Sequence, residues 1–371
     1  MKKVLLGTSA IALVGAFATT AQAAEWEIEV GGYAEQFIAY GSSDFNDSAQ
    51  IVAGTDGEPD VDGVDIESDT EVHFDFGITL DNGIKFGAQV ELEGDAGSGG
   101  EIDESEIFVR GSFGQFVIGN EDPAGNRMVF VAPDVSIIGA NSGTMSAYVR
   151  YDLVADNLGR TLDSTISDGW ISDSDGITYF TPRLFGVQLG ASYFRSNTQS
   201  DGLDDNDEVD FDNTISLGAN YVNSFAGVDV ALSSYWMTAE DDTNGDPEIF
   251  GFGANFGYAG FTLGGSWGEV NDEEFSSGAS RDGNAFDIGI SYSTGPFNMS
   301  FVYVNGDANH SSGGEEELQL FKGAFRYNLA QGVDLTAEAG YADYSLESTT
   351  TEFSDAEIDG FFIGTGIDLS F

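Results

Sequence analysis

His73 and His310 are the only imidazoles in the chain and cysteine is absent, so acid–base or nucleophilic chemistry has few places to reside. A hydrolytic site needs a nucleophile, a histidine and an orienting polar group gathered together. His73 has no serine neighbour that fits this role, and His310 falls in a loop. Carboxylates are so abundant that no pair stands out as general acid and base. The scarce cations say more: 12 Lys and Arg stand against 64 Asp and Glu, a net charge of −52. That balance excludes nucleic acid as a partner, because phosphates would be repelled. Two acidic runs, Glu58, Asp60, Asp62 and Asp65 in one and Asp201–Asp210 in the other, cluster oxygen ligands suited to Ca²⁺, a hard cation. Neither fits the full EF-hand loop. The competing reading is a solvated acidic surface that divalent ions screen diffusely.

The elements that must carry these groups alternate with period two. From Val72 to Leu80 the even positions are Val72, Phe74, Phe76, Ile78 and Leu80, and the odd ones His73, Asp75, Gly77 and Thr79. Asp81-Asn82-Gly83 then supplies a hairpin turn, since Asn and Gly tolerate positive φ. The return strand sets Ile84, Phe86, Ala88, Val90 and Leu92 against Lys85, Gly87, Gln89, Glu91 and Glu93. The same pattern predicts strands at 26–40, 71–80, 84–93, 104–113, 115–121, 176–182, 186–196, 209–221, 227–238, 248–258, 261–269, 283–292, 297–305, 316–328, 333–344 and 356–371. That makes sixteen, an even number, as single-chain bacterial barrels have.

Connections alternate in length as well. Asp81–Gly83, Arg183–Phe185, Val222–Ala226, Ala259-Gly260, Ser293–Pro296 and Leu329–Gly332 are short; 41–70, 197–208, 239–247, 270–282, 306–315 and 345–355 are long, acidic and glycine-rich. An outer-membrane barrel has short periplasmic turns and longer outer loops, whereas a soluble sandwich or propeller gives no reason for that alternation. Tyr193, Tyr221, Trp236, Tyr258, Trp267, Tyr292, Tyr303, Tyr327 and Tyr341 lie on the apolar parity near strand ends. Amphipathic rings prefer the membrane interface, so these predict two aromatic girdles. No run of about 20 apolar residues follows the N-terminal region, as expected when lipid-facing and lumen-facing residues average out. Lys2 and Lys3, an apolar Val4–Ala18 run and Ala21-Gln22-Ala23 read as a signal peptide over 1–23, leaving 24–371 as one barrel domain. Without cysteine, the fold must hold by its own hydrogen bonds.

The stretch Ile107–Gly119 resembles the strand-4/strand-5 hairpin of the Gram-negative general porins, particularly the α-proteobacterial (Rhodobacter-type) group. Ile177–Pro182 followed by Gly186–Tyr193 is similar to their strand-6/strand-7 hairpin. The last strand carries Phe361, Ile363, Ile367, Leu369 and Phe371 on one parity, like the terminal signature read by the barrel-assembly machinery. The resemblance implies an all-β, sixteen-stranded antiparallel transmembrane barrel in the outer membrane, a homotrimer passing small hydrophilic solutes and cations by diffusion. It also implies that the third outer loop, about residues 122–175, folds inward as a constriction, and Val129, Phe130, Val131, Val135, Ile137 and Ile138 would pack it on the inner wall. Asp134 is placed on the acidic side of that eyelet by position alone.

On the inferred inward parity stand His73, Lys85 and Arg110 on neighbouring strands, then Lys322 and Arg326 on strand fourteen. The first three form the basic wall of a constriction, or each simply neutralises lumenal acids such as Asp75, Glu91 or Glu106. Arg127, Arg150 and Arg160 fall in the loop as candidate anchors to the wall. The expectation is a passive, cation-biased pore in the lipid bilayer that requires no cofactor and is not an enzyme. The alternatives are a substrate-selective channel, which would show an aromatic slide along the lumen, and a structural or adhesive barrel whose loops bind a partner.

Overall fold

The computed structural model describes residues 25–46, 48–49, 61–94, 102–155, 158, 161–166, 171, 174–196, 211–240, 245–271, 282–310, 314–348 and 355–371. The predicted signal segment, Glu58, Asp60, Arg160 and the Asp201–Asp210 run lie outside these residues.

Alternating sequence becomes strand because one face meets lipid and the other water, and a closed sheet alone satisfies every backbone group in hydrocarbon. The strands are β1 (Glu27–Phe45), β2 (Gly63–Thr79), β3 (Lys85–Glu93), β4 (Ser105–Gly111), β5 (Gly114–Asn120), β6 (Asp175–Phe180), β7 (Val187–Ser196) and β8 (Asp212–Phe225). They continue as β9 (Val228–Glu240), β10 (Glu248–Tyr258), β11 (Phe261–Asn271), β12 (Gly283–Thr294), β13 (Phe297–Asn309), β14 (Gly314–Ala330), β15 (Val333–Ser348) and β16 (Ala356–Ser370). Each pairs antiparallel with its sequence neighbours, and β1 pairs with β16 to close the barrel. Phe371 N–H donates to Gly32 O and Gly32 N–H to Phe371 O, both at 3.1 Å, at the closing seam.

The parity expected from sequence holds. Ile288, Ile290, Leu263 and Ile363 lie exposed on the outer face, while Asp287, Ser266 and Phe362, their neighbours in sequence or close to it, are buried on the inner one. Register gathers the aromatics into two rows. Tyr303, Phe321, Tyr341 and Phe361 are successive cross-strand partners on β13 to β16. Near the other end, Phe261 pairs with Tyr292 and Phe297 with Tyr327, with ring centroids 4.3 and 5.3 Å apart.

The strands outrun several predicted loops. The connection expected at 41–70 shrinks to 46–62, since Gly41–Phe45 pair with β16 and Gly63–Thr70 with β1. Val64-Asp65-Ile66-Glu67 does alternate, but its acids disguised it as loop; pairing beyond the apolar band needs backbone hydrogen bonds rather than lipid-soluble side chains. Similarly, β8 runs on to Phe225, and the turn predicted at Val222–Ala226 is only Ala226-Gly227. This turn and Ala259-Gly260 put both residues at positive φ, 51° and 87° in one, 52° and 89° in the other. That is the type I′ geometry matching strand twist. An alanine there costs about 1 kcal/mol relative to a residue without Cβ. Ala259→Gly is therefore expected to raise the urea midpoint of the detergent-solubilised barrel slightly, whereas a lowered midpoint would mean that the turn does not limit stability.

Candidate functional site

The connection between β5 and β6, residues 121–174, is built onto the inner face of the barrel through its described residues. It opens with a short helix, α1 (Ala124–Met128), then runs extended to two 3₁₀ turns at Thr144–Ala147 and Tyr151–Leu153. Small polar side chains on successive strands take its backbone groups in order. Ala124 N–H donates to Ser192 Oγ of β7 at 2.8 Å, Gly125 N–H to Ser216 Oγ of β8 at 3.0 Å, and Phe130 N–H to Ser233 Oγ of β9 at 2.9 Å. Asn255 Nδ2 of β10 donates to Val131 O at 3.1 Å, and Ala132 N–H reaches Asp287 Oδ2 of β12 at 3.1 Å. Val135 N–H bonds Ser300 Oγ of β13 at 3.1 Å. Ile137 and Ile138 N–H share the Glu338 carboxylate of β15, at 2.6 and 3.2 Å. Arg150 N–H finally reaches Ser43 Oγ of β1 at 3.1 Å.

Apolar packing follows the same track. Ile138, Met145, Tyr148, Val149 and Tyr151 of the segment bury against inward-facing Phe37, Leu318, Leu320, Tyr344 and Phe362. Ile137 packs on the edge of that cluster, while Val129 packs on a second one around Phe194, Tyr235 and Met237. These inward aromatics thus lie beneath the segment.

The predicted site residues separate into three groups. Asp134, Lys322 and Arg326 come together under the segment. Lys322, only 1% exposed, has Nζ 3.3 Å from Glu338 Oε2 and 3.6 Å from Asp134 Oδ2. Ser300 Oγ donates to Asp134 Oδ1 at 2.9 Å and Ser136 N–H to the same oxygen at 3.2 Å. Burial opposes ionisation of Asp134, but Lys322 and the bonds from Ser300 and Ser136 outweigh it and hold the carboxyl below its usual range. Asp134 therefore turns toward the wall. Arg326 donates to Val135 O at 2.8 Å and Ser136 O at 3.2 Å and pairs with Asp368 at 2.6 Å, so its guanidinium ties the segment to β14 and β16.

Lys85 and Arg110 form the second group, as cross-strand partners beside the short turns. Lys85 Nζ lies 3.6 Å from Glu27, while Arg110 donates to Gln115 at 2.8 Å and stacks over Phe108. His73 stands apart. Its partner across β2–β3 is Glu91, six residues along β3 from Lys85 and so roughly 20 Å away at ~3.3 Å per residue. His73 Nε2 is 3.3 Å from Glu71 and Nδ1 is 3.8 Å from Glu91. The three predicted wall cations are thus not one cluster.

Of the loop arginines, Arg127 pairs with Glu106 of β4 at 3.3 Å and Glu121 at 3.0 Å, whereas Arg150 pairs within the segment, with Asp152 at 2.9 Å. Asp62 precedes β2, and Asp65 is a strand residue paired with Ala39. The serine, asparagine and carboxylate rungs escaped sequence reasoning. Their signal was a small or acidic polar residue at mid-strand on the inward parity, repeated strand after strand.

A closed antiparallel barrel with an apolar outer belt, aromatic rows and a polar interior defines a transmembrane β-barrel channel. The family model for Gram-negative porins matches residues 8–346, and the chain belongs to that family; it is an outer-membrane diffusion channel protein. Family and fold point to a channel rather than an enzyme. No curated protein sequence matches the chain. Solved structures share the fold at low identity. An anion-selective porin from Comamonas acidovorans aligns with TM-score 0.61 and 16% identity over 94% of this chain and 100% of its own. The outer membrane channel DcaP of Acinetobacter baumannii gives 0.63 and 14% over 96% and 100%. In-vitro folded OmpT of Vibrio cholerae in its trimer form gives 0.61 and 14% over 93% and 99%.

Proposed function

We propose that the barrel is a passive, cation-preferring pore for small hydrophilic solutes, narrowed by the 121–174 segment and working as a homotrimer. The observation that carries this reading is the asymmetry of the inner wall. Among the described residues, and apart from the Arg127–Glu106 pair on β4, the segment's hydrogen bonds to the wall run from β7 round to the outer half of β1. The wall of β1 to β4 carries Glu29, Glu35, Asp75, Glu91 and Glu106 on the inward parity. Fixed negative charge beside a water path favours cations over anions. Lys85 and Arg110 sit at the short-turn mouth, where they affect entry more than the waist. The solved neighbour from Comamonas acidovorans is anion-selective, so the preference proposed for this chain rests on the charges of its own wall.

The trimer, assembly through the last strand by the barrel-assembly machinery, contact with lipopolysaccharide, and export by cleavage after Ala23 belong to the same proposal. Placement with the α-proteobacterial porins rests on the two hairpin motifs. Single-channel recording in planar bilayers tests the central claim. Discrete conductance steps are expected, with the reversal potential in a KCl gradient shifted toward the K⁺ value. Anion preference would overturn the selectivity, and absent conductance the pore itself.

A further inference from the structure

Glu71, His73 and Glu91 have a geometry that neutralisation of lumenal acids does not explain. Glu71 and His73 are two apart on β2 and so share its inner face; Glu91 stands directly across from His73 on β3. One ligand atom from each lies within 4.8 Å of the others. Two carboxylates that close repel unless a cation or a shared proton stands between them, and among the described residues no Lys or Arg pairs with either. His73 alone supplies at most one positive charge. Glu71 is only 7% exposed, yet its Oε1 has no hydrogen-bond donor, and His73 Nε2 likewise makes no hydrogen bond of sound geometry. Buried polar atoms without partners are costly, so their concentration at one point signals a missing ligand.

We infer that Glu71, His73 and Glu91 form a binding site for a divalent transition-metal ion of the Zn²⁺ class in the wall of the channel. The donor set decides the class. An imidazole with two carboxylates suits zinc and its neighbours, whereas Ca²⁺ wants six to eight oxygens. Nε2 and Glu71 Oε2 are 3.3 Å apart. That is the edge of a tetrahedron with bonds of about 2.0–2.1 Å, the Zn–N and Zn–O lengths. Neutral His73 and two carboxylates carry two negative charges, which one divalent ion cancels. Groups behind the ligands hold them in place: Gln89 Nε2 donates to Glu91 Oε1, and the Tyr33 ring meets the His73 ring edge-on at 6.2 Å. Such supports are typical of metal centres. His73 keeps 28% side-chain exposure, so an ion in the lumen can reach it.

The test is metal binding to the purified full-length barrel in detergent micelles, read by competition with a chromophoric chelator and therefore independent of conduction. One Zn²⁺ per chain is expected, retained in excess Ca²⁺. His73→Ala and Glu91→Gln should each weaken it at least about tenfold, a loss that even residues behind a ligand produce. Asp62→Asn/Asp65→Asn should leave it unchanged. X-ray absorption at the zinc edge should show one imidazole, lost in His73→Ala. Circular dichroism and heat-modified gel mobility verify that each variant is folded, and His73→Asn substitutes if the alanine variant is not. Absence of stoichiometric Zn²⁺, its displacement by Ca²⁺, or equal binding by the folded variants would overturn the site.

Discussion

Replacing Lys322 with methionine is expected to destabilise the barrel by about 3–5 kcal/mol, the cost of stranding a buried charge. Lys322 is the cation that Glu338 and Asp134 share, and Glu338 is itself fully buried. Methionine matches the stem of lysine, so packing changes little and the loss is electrostatic. Glu338 also receives Ile137 and Ile138 N–H, so an uncompensated carboxylate there loosens the segment as well as the wall. The urea midpoint should fall, and single-channel current should become noisier as the segment moves. Lys322→Met/Glu338→Gln should recover part of the loss, because the double variant leaves less charge unpaired. A single variant with unchanged midpoint would mean that water already solvates the pair.

The second large effect is expected at Gly253. A Cβ on this residue of β10 would fall onto the carbonyl of Phe130, a backbone group that cannot swing aside like a side chain. Gly253→Val should therefore push the segment off the wall between its bonds to Ser233 and Asn255. Overpacking of this kind costs about 1–3 kcal/mol. The strand itself tolerates valine well, so the barrel should stay folded while limited proteolysis near Phe130 accelerates and conductance steps change in size. Unaltered proteolysis and conductance would show that the segment does not hold the pore at this point.

Much of the barrel was legible because its physics is local. Alternation at Val72–Leu80 and Ile84–Leu92, joined by Asp-Asn-Gly, identifies a hairpin without any distant information. Acidic extensions such as Val64–Glu67 were lost because polarity outside the hydrocarbon mimics a loop. The site was less legible for a different reason. Asp134, Lys322 and Arg326 meet only because the segment crosses nine strands from β7 to β15, and no spacing within the chain encodes that crossing. Lys85 and Arg110 are cross-strand partners, but height along the barrel depends on strand register, which sets His73 apart from them. Inward Leu318 and Leu320 break the rule that a lumen is polar; they are apolar because the segment, not water, covers them.

The order of the segment's anchors sets a measure on the whole ring. From Phe130 on β9 to Ile137 on β15 it spans six inter-strand gaps with seven residues. At ~4.8 Å per gap and ~3.3 Å per extended residue those lengths are roughly 29 Å along the wall and 23 Å of chain. The segment must therefore run nearly taut along a shorter arc inside the wall, held by side chains that project inward. It behaves as part of a hoop cut to that arc. An inserted residue would slip its amides out of step with the serines that receive them, and an added strand would leave the hoop too short. Hoop length and the arc from β9 to β15 can therefore change only together, so segment and wall in this chain are matched in size.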